Sequence, residues 1–213
     1  MRRKYTPDGW KLRASSRGYY IIESEKTCSM GTSSFDLSTL REWLSEANYT
    51  PILEIAENRK GILSQLTALS YEEDTKISER AIEATGLAAR IIARRAPEYV
   101  RNYLLRLFWL INDESGGIGW RAPELIGEIL HHCPQFSQFF PMLISLLDLD
   151  EEDAPRFQVG TLWAIGRVAQ ATKDAMLPAL PKVRALISGD KPIGKEVKEK
   201  ALWCIQQLTA GEP

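Results

Sequence analysis

The chain has 213 residues, of which 44% are hydrophobic and 26% are charged, and its formal net charge is −1. This composition is typical of a soluble globular protein, and it excludes the broad basic field that usually accompanies nucleic-acid binding. Cys28, Cys133 and Cys204 are odd in number and widely spaced, which favours reduced thiols in a cytoplasmic protein over a disulfide framework. No run of about 18 apolar residues occurs, so we expect no transmembrane helix.

Residues 1–35 are interpreted as a basic, loosely ordered N-terminal arm. Six basic residues stand against Asp8 within the first 17 positions. The run from Tyr19 to Ile22 predicts a short strand within a small hairpin, and it is too short for the core of a signal peptide. A basic arm can contact an acidic partner or nucleic acid, but a solvated tail is the simpler interpretation.

Helical periodicity takes over after the arm. Apolar residues at helical spacing begin at Leu37, with Asp36 or Ser34 as the expected cap. Thr50 is predicted to cap the next helix, with Pro51 at its first helical position. That helix is expected to continue to about residue 57. Further helices are predicted over residues 60–69, 76–95, 98–112, 119–132, 136–147, 156–170, 175–187 and 195–209.

A self-similarity of about forty residues runs through the last two thirds of the chain. Gly86, Gly127 and Gly166 are separated by 41 and 39 residues, and Gln206 follows 40 residues later. A two-helix repeat of this length is typical of HEAT or armadillo proteins, whose units stack because none can bury its apolar face alone. Residues 36–213 are therefore predicted to form an all-α solenoid, a right-handed superhelix of about four to five helix pairs.

Aligning the three glycines and Gln206 brings one residue of each repeat to an equivalent position, and these residues are Glu83, Glu124, Trp163 and Trp203. The residues four positions later share the same helix face, and they are Leu87, Glu128, Arg167 and Gln207. Because neighbouring helices pack ~8–10 Å apart, we expect Glu128 to meet Arg167 and Glu124 to lie beside Trp163. The simpler interpretation of this ladder is a row of contacts that joins the repeats; the alternative is a binding surface.

The segment from residue 112 to residue 124 departs from the regular repeat. It carries three glycines within four positions directly before a helix, which leaves backbone N–H groups accessible to an anion. The spacing matches neither a phosphate-binding loop nor a dinucleotide fingerprint. A tight turn in which Glu114 or Ser115 caps the next helix is the plainer interpretation.

We nevertheless predict that this turn is the functional centre, because glycine costs ~0.5–1 kcal/mol relative to alanine and such richness needs a reason. Glu114 and Glu124 are expected to flank a recess roofed by Trp120 or Trp163. The predicted binding residues are Asp113, Glu114, Ser115, Gly116, Gly117, Trp120, Arg121, Glu124, Glu128, Trp163 and Arg167.

Two runs of this sequence, from Leu107 to Glu128 and from Leu162 to Arg167, resemble a known family. It is an uncharacterised family of HEAT-repeat proteins found in sulfate-reducing and related anaerobic bacteria, within the superfamily of HEAT and PBS-lyase-like repeats. The resemblance covers about residues 75–210, and its most specific part runs from Asn112 to Trp120. It implies the solenoid and a bacterial cytoplasmic setting, and it implies no activity. The basic arm lies outside it.

Taken together, these features favour a non-catalytic scaffold or adaptor whose partner is another protein, with no cofactor. The alternative is an enzyme that acts on a small ligand or on nucleic acid, lyase-like or DNA glycosylase-like, and that uses Glu114, Trp120 and Glu124. The near-neutral charge disfavours nucleic acid, because phosphate affinity depends on basic residues. A binding surface predicts a broad groove, whereas an enzyme predicts a closed pocket with carboxylates of perturbed acidity.

A metal site is not predicted. His131 and His132 are the two histidines of the chain and are adjacent to each other and to Cys133. Adjacent residues on a helix point in different directions, so this triplet cannot supply a compact set of ligands. Cys133 is expected to be a core residue.

Overall fold

The computed structural model describes residues 10–14, 20–24, 36–111, 119–149, 154–189 and 193–210. Within the N-terminal arm, Trp10–Ala14 (β1) and Tyr20–Ser24 (β2) pair as antiparallel strands. The rest of the described chain is helical. Its α-helices are Leu37–Ser45 (α1), Thr50–Asn58 (α2), Ile62–Leu69 (α3), Thr75–Arg95 (α4), Pro97–Ile111 (α5), Ala122–His132 (α6), Phe140–Ser145 (α7), Ala154–Met176 (α8), Leu180–Ser188 (α9) and Lys195–Thr209 (α10).

None of the helices in the described part of the chain has both the length and the apolar character that crossing a membrane requires.

The helix starts follow local capping chemistry. Asp74 precedes α4 in an extended conformation, and its carboxylate accepts hydrogen bonds from the backbone N–H groups of Lys76 and Ile77 at 3.0 and 3.4 Å, as expected of an N-cap aspartate. The prediction for α2 was wrong by one position. Tyr49 occupies the cap, and Thr50 is already the first helical residue.

Prolines divide the second helices of the later repeats. The helix predicted over residues 136–147 is in fact a 3₁₀ segment at Pro134–Phe139, the short helix α7 and a second 3₁₀ segment at Leu146–Asp148. The helix predicted over residues 175–187 is also divided: α8 bends at Thr172 and runs to Met176, and the 3₁₀ segment Leu177–Ala179 precedes α9. Proline has no N–H to donate and its ring clashes with the preceding turn, so Pro141, Pro178 and Pro181 interrupt what the apolar pattern predicts as continuous helices.

The long helices pack in chain order, with α4 against α6, α6 against α8, and α8 against α10. The three repeat glycines lie at these contacts, as predicted. A Cβ added at Gly86 would lie 2.6 Å from the backbone oxygen of Glu128, and one at Gly127 would lie 2.7 Å from the Cα of Ala164. A Cβ at Gly166 would run into the Trp203 ring. The absence of a side chain therefore lets each pair of neighbouring helices approach closely.

A second row of helices covers one side of the long ones. Here α5 packs against α4 and α6, α7 against α6 and α8, and α9 against α10. A continuous apolar core runs between the two rows. At the N-terminal end, α1, α2 and α3 pack against α4, and the buried hydroxyl of Tyr103 on α5 donates to the Leu63 carbonyl at 3.0 Å. The side of the long helices away from the second row is where a groove forms.

Candidate binding groove

A groove of about 650 Å³ crosses the four long helices. It begins at the first turns of α4, passes over α6 and α8, and ends on α10. Its described lining residues are Thr75, Glu79, Ile82, Glu83, Arg121, Glu124, Glu128, Val159, Gly160, Trp163, Arg167, Gln170, Glu196, Lys200 and Trp203. Five of the residues predicted from the sequence are thus brought together: Arg121, Glu124, Glu128, Trp163 and Arg167.

The predicted contact between Glu128 and Arg167 is confirmed. Nε of Arg167 donates to Oε1 of Glu128 at 2.7 Å, from α8 to α6. His132, one turn further along α6, places Nε2 at 3.3 Å from the other carboxylate oxygen. Glu128 is only 3% exposed, so this pair lies in the floor of the groove and joins two neighbouring helices.

The surroundings of Glu128 favour its charged form. Burial by itself raises the pKa of this carboxyl group, but the contacts with His132 and Arg167 outweigh burial, and the pKa lies below the ordinary value. His131 adds a further link, because Nδ1 donates to the backbone carbonyl of Arg167 at 2.9 Å. Burial and the nearby Arg167 charge lower the pKa of His131. The two histidines thus serve the junction between α6 and α8.

Glu124 lies one turn before Glu128 on the same face of α6, in a different environment. Oε1 accepts a hydrogen bond from Nη1 of Arg121 at 3.1 Å, whereas Oε2 has no hydrogen-bond partner among the described residues. The residue is 9% exposed, and its carboxylate rests against the backbone of Gly160 on α8. Burial raises the pKa of Glu124 and outweighs the Arg121 charge.

Two half-buried tryptophans line the groove beside these carboxylates. Trp163 lies on α8 and Trp203 on α10, and Nζ of Lys200 lies 5.4 Å from the centre of the Trp203 ring. A cation at that distance from an indole face is attracted to it. The groove therefore combines aromatic surface with charged groups of both signs.

Hydrogen bonds extend this polar surface to both sides. At the α4 end, the Tyr49 hydroxyl donates to Glu83 at 2.6 Å. At the α10 end, Arg167 donates to Gln170 at 2.7 Å, and Gln170 donates to Gln207 on α10 at 2.9 Å. Polar side-chain contacts thus link α6 to α8 and α8 to α10.

Carboxylates outnumber cations in the groove. Its described lining contains five glutamates against Arg121, Arg167 and Lys200. Arg121 and Arg167 are already paired with Glu124 and Glu128. The exposed glutamates at the two ends, Glu79, Glu83 and Glu196, therefore give the groove an acidic character.

The glycine-rich turn lies mostly outside the part of the chain that the structure describes. Asp113, Glu114, Ser115, Gly116 and Gly117 lie outside the described residues. Trp120, at the end of that turn, is 41% exposed and is not among the lining residues of the groove. Its ring contacts the Tyr71 ring edge-on at 5.4 Å, and the Arg121 guanidinium lies 4.6 Å from its centre. Of the two tryptophans predicted to roof a recess, Trp163 is the one that lines the groove.

Sequence reasoning missed several groove residues. Gly160 has no equivalent glycine in the other repeats, so the repeat pattern gives it no role. Lys200, Glu79 and Glu196 look like ordinary charges on a solvated helix face. Trp203 occupies the position that is equivalent to Trp163 in the aligned repeats. This equivalence could have been used to predict that Trp203 lines the groove.

The described residues offer no obvious reactive centre beyond these carboxylates. Burial raises the pKa of the Cys133 thiol to about 12 and that of Cys204 to about 12, so neither forms a thiolate nucleophile at neutral pH. No group of three or more His, Cys, Asp or Glu side chains within the described ranges is placed to hold a metal ion.

No model of a known protein family matches the chain. A protein of Archaeoglobus fulgidus, described as uncharacterised, is 34% identical to it over 122 residues. The aligned region spans 57% of this chain and 61% of the archaeal protein, so the chain covers less than two thirds of that relative's length. The resemblance to the bacterial HEAT-repeat family stays a prediction from the sequence.

Proposed function

We propose that this chain is a protein-interaction scaffold that binds an extended segment of a partner protein in the groove across α4, α6, α8 and α10. The proposal includes the solenoid architecture, a right-handed superhelix of helix pairs. The observation that carries it is the shape of the groove, which follows successive helices instead of closing around one point.

The stacking order supports the solenoid. Each repeat glycine faces a residue on the next long helix, and the pairs are Gly86 with Glu128, Gly127 with Ala164 and Gly166 with Trp203. These partners are 42, 37 and 37 residues apart in the chain, close to the period of HEAT-like repeats. Stacked repeats of this kind present long surfaces that suit partner binding.

The dimensions of the groove favour an extended chain. Four helices about 9 Å apart give the groove a length of about 27 Å. That length matches about eight residues of extended chain.

The carboxylates support binding over catalysis. A pair of glutamates whose pKa values shift in opposite directions is a pattern of acid–base enzymes, and Glu124 and Glu128 show it. However, Glu128 is almost fully buried and its Oε1 accepts from Arg167, so this carboxylate is engaged in joining α6 to α8. The excess of carboxylates in the groove also repels a phosphate backbone, which disfavours a nucleic-acid enzyme.

A selection of random peptides on the immobilised full chain tests the proposal. We expect ten-residue peptides to be enriched and to lose binding when Trp163 is replaced by alanine. Trp109 on α5 is a matched control, because it is 45% exposed and lies outside the groove. Trp109→Ala should leave binding unchanged. Equal loss in both variants, or no enriched peptide, would contradict the proposal.

A further inference from the structure

The carboxylate of Glu124 keeps an acceptor oxygen unused at the centre of the groove. Arg121 donates to Oε1, while Oε2 finds no donor among the described residues although Glu124 is almost fully buried. A buried acceptor without a donor is costly and calls for a specific explanation. Oε2 itself is covered in this conformation, but the residue lines the groove, so a ligand that draws the carboxylate toward the groove can supply the missing donor.

Gly160 makes room for that oxygen. A Cβ at this position would lie 2.5 Å from Oε2 of Glu124 and 2.7 Å from its carboxyl carbon. Any side chain at position 160 would therefore push the carboxylate out of its present position. Glycine within a helix is less stable than alanine, so its presence here is consistent with a need to keep this carboxylate in place.

Trp163 lies one turn after Gly160 on α8 and provides an aromatic surface. The ring is half-buried and lines the groove, and no cation or second ring contacts it among the described residues. Its counterpart Trp203 already carries the ammonium group of Lys200 over its face. Trp163 thus offers a site for the same cation–π contact, to be filled from outside the chain.

Resting on the peptide groove proposed above, we infer that Glu124 and Trp163 form a subsite for one lysine or arginine side chain of the bound segment. The ammonium or guanidinium group donates to Oε2 of Glu124 and lies over the Trp163 ring. Charge-assisted hydrogen bonds of this type are about twice as strong as neutral ones. The exposed glutamates at the ends of the groove add long-range attraction for a basic segment.

The test uses the peptides enriched in the selection, resynthesised with each basic residue replaced in turn by norleucine. We expect one position at which the replacement weakens binding by roughly tenfold, the equivalent of one good charged contact. In the Glu124→Gln variant that penalty should fall to less than about twofold. Glu98→Gln, on an exposed residue of α5 outside the groove, should retain the full penalty.

Gly160→Ala provides a second variant that leaves the Glu124 residue itself unchanged. The added methyl group meets only the flexible end of the Glu124 side chain, so the fold should survive while the carboxylate is displaced. We expect the basic preference of the peptide to weaken as in Glu124→Gln. Circular dichroism and melting temperature confirm in each case that the variant is folded.

A pH series adds an independent readout. Because burial raises the pKa of Glu124, this carboxyl group loses its charge before an exposed glutamate does as the pH falls. Affinity for the basic peptide should therefore decrease as pH is lowered through that pKa, and Glu124→Gln should abolish that component. The other charged groups that face the groove are Glu79, Glu83, Arg121, Glu128, Arg167, Glu196 and Lys200.

The outcomes separate this inference from the proposal on which it rests. If peptides bind in a Trp163-dependent way but none shows a position with basic preference, the scaffold proposal stands and the subsite is refuted. A basic preference that persists unchanged in Glu124→Gln refutes the subsite as well. If no peptide is enriched, both are refuted.

Discussion

At the scale of single residues, Glu124 and Glu128 lie one turn apart on α6 and differ in how they are paired. Oε1 of Glu128 accepts a hydrogen bond from Arg167 at 2.7 Å, and Nε2 of His132 lies 3.3 Å from the other oxygen. Glu124 is held by Arg121 through one oxygen only. The same substitution at these two positions should therefore have different consequences.

We predict that Glu128→Gln lowers the free energy of unfolding by about 2–3 kcal/mol at neutral pH, because it leaves the charge of Arg167 without its carboxylate partner. The pKa of Glu128 is lower in the folded state than in the unfolded state. The stabilisation by the Glu128 carboxylate is therefore fully present above its pKa in the unfolded state, and it is lost as the pH falls through its pKa in the folded state. Urea denaturation at several pH values measures this. A penalty that stays constant down to acidic pH would be inconsistent with the ion pair.

Glu124→Gln should change the free energy of unfolding by less than about 1 kcal/mol, because removing a poorly paired buried charge offsets the lost ion pair with Arg121. The pKa of Glu124 is higher in the folded state than in the unfolded state. The unchanged protein therefore loses stability as the pH rises from the pKa of Glu124 in the unfolded state to its pKa in the folded state. The Glu124→Gln variant does not show this loss. The same denaturation series serves as the measurement, and a destabilisation as large as that of Glu128→Gln would show that Glu124 is a structural residue.

At the scale of elements, the spacing of the long helices depends on glycine. Alanine at position 127 would place its Cβ 2.7 Å from the backbone of α8 at Ala164, and backbone cannot move aside as a flexible side chain can. We predict that Gly127→Ala destabilises the protein by about 1–3 kcal/mol, as overpacking does. Thermal or urea denaturation measures the change.

Gly61 is the matched control for that prediction. Nothing lies within 4 Å of a Cβ built at this position, and its φ of −62° suits any residue. Gly61→Ala should therefore be neutral or slightly stabilising. If both alanine variants behave alike, the close approach of α6 and α8 at Gly127 does not limit stability.

The long helices were largely predictable from the sequence, and the shorter ones were less so. The glycine spacing placed Glu128 opposite Arg167 because residues four apart share a helix face and the repeats stack in order. The apolar periodicity did not predict the breaks near Pro141 and Pro178. The periodicity continues through these positions, but the missing backbone N–H of proline interrupts the helix. Gly160 escaped prediction because its role depends on the position of one Glu124 oxygen, which no repeat pattern records.

At the scale of the whole molecule, the proposed solenoid has a consequence for cooperativity. Each repeat contacts its neighbours, so stability is approximately a sum over repeats and their interfaces. We predict that a chain ending at residue 189, without α10, stays folded with reduced stability. Far-ultraviolet circular dichroism during urea denaturation measures this. A truncated chain with no cooperative transition would indicate a single core that needs every helix.

The central claim is that a partner segment lies along the groove and contacts successive long helices. The most direct measurement is titration of a selected peptide into the isotope-labelled full chain, followed by the chemical shifts of backbone amides. We expect a continuous stripe of shifted signals on α4, α6, α8 and α10, with α5 and α7 unaffected. Shifts concentrated on the second row of helices (α5, α7 and α9), or confined to one helix pair, would contradict binding along the groove.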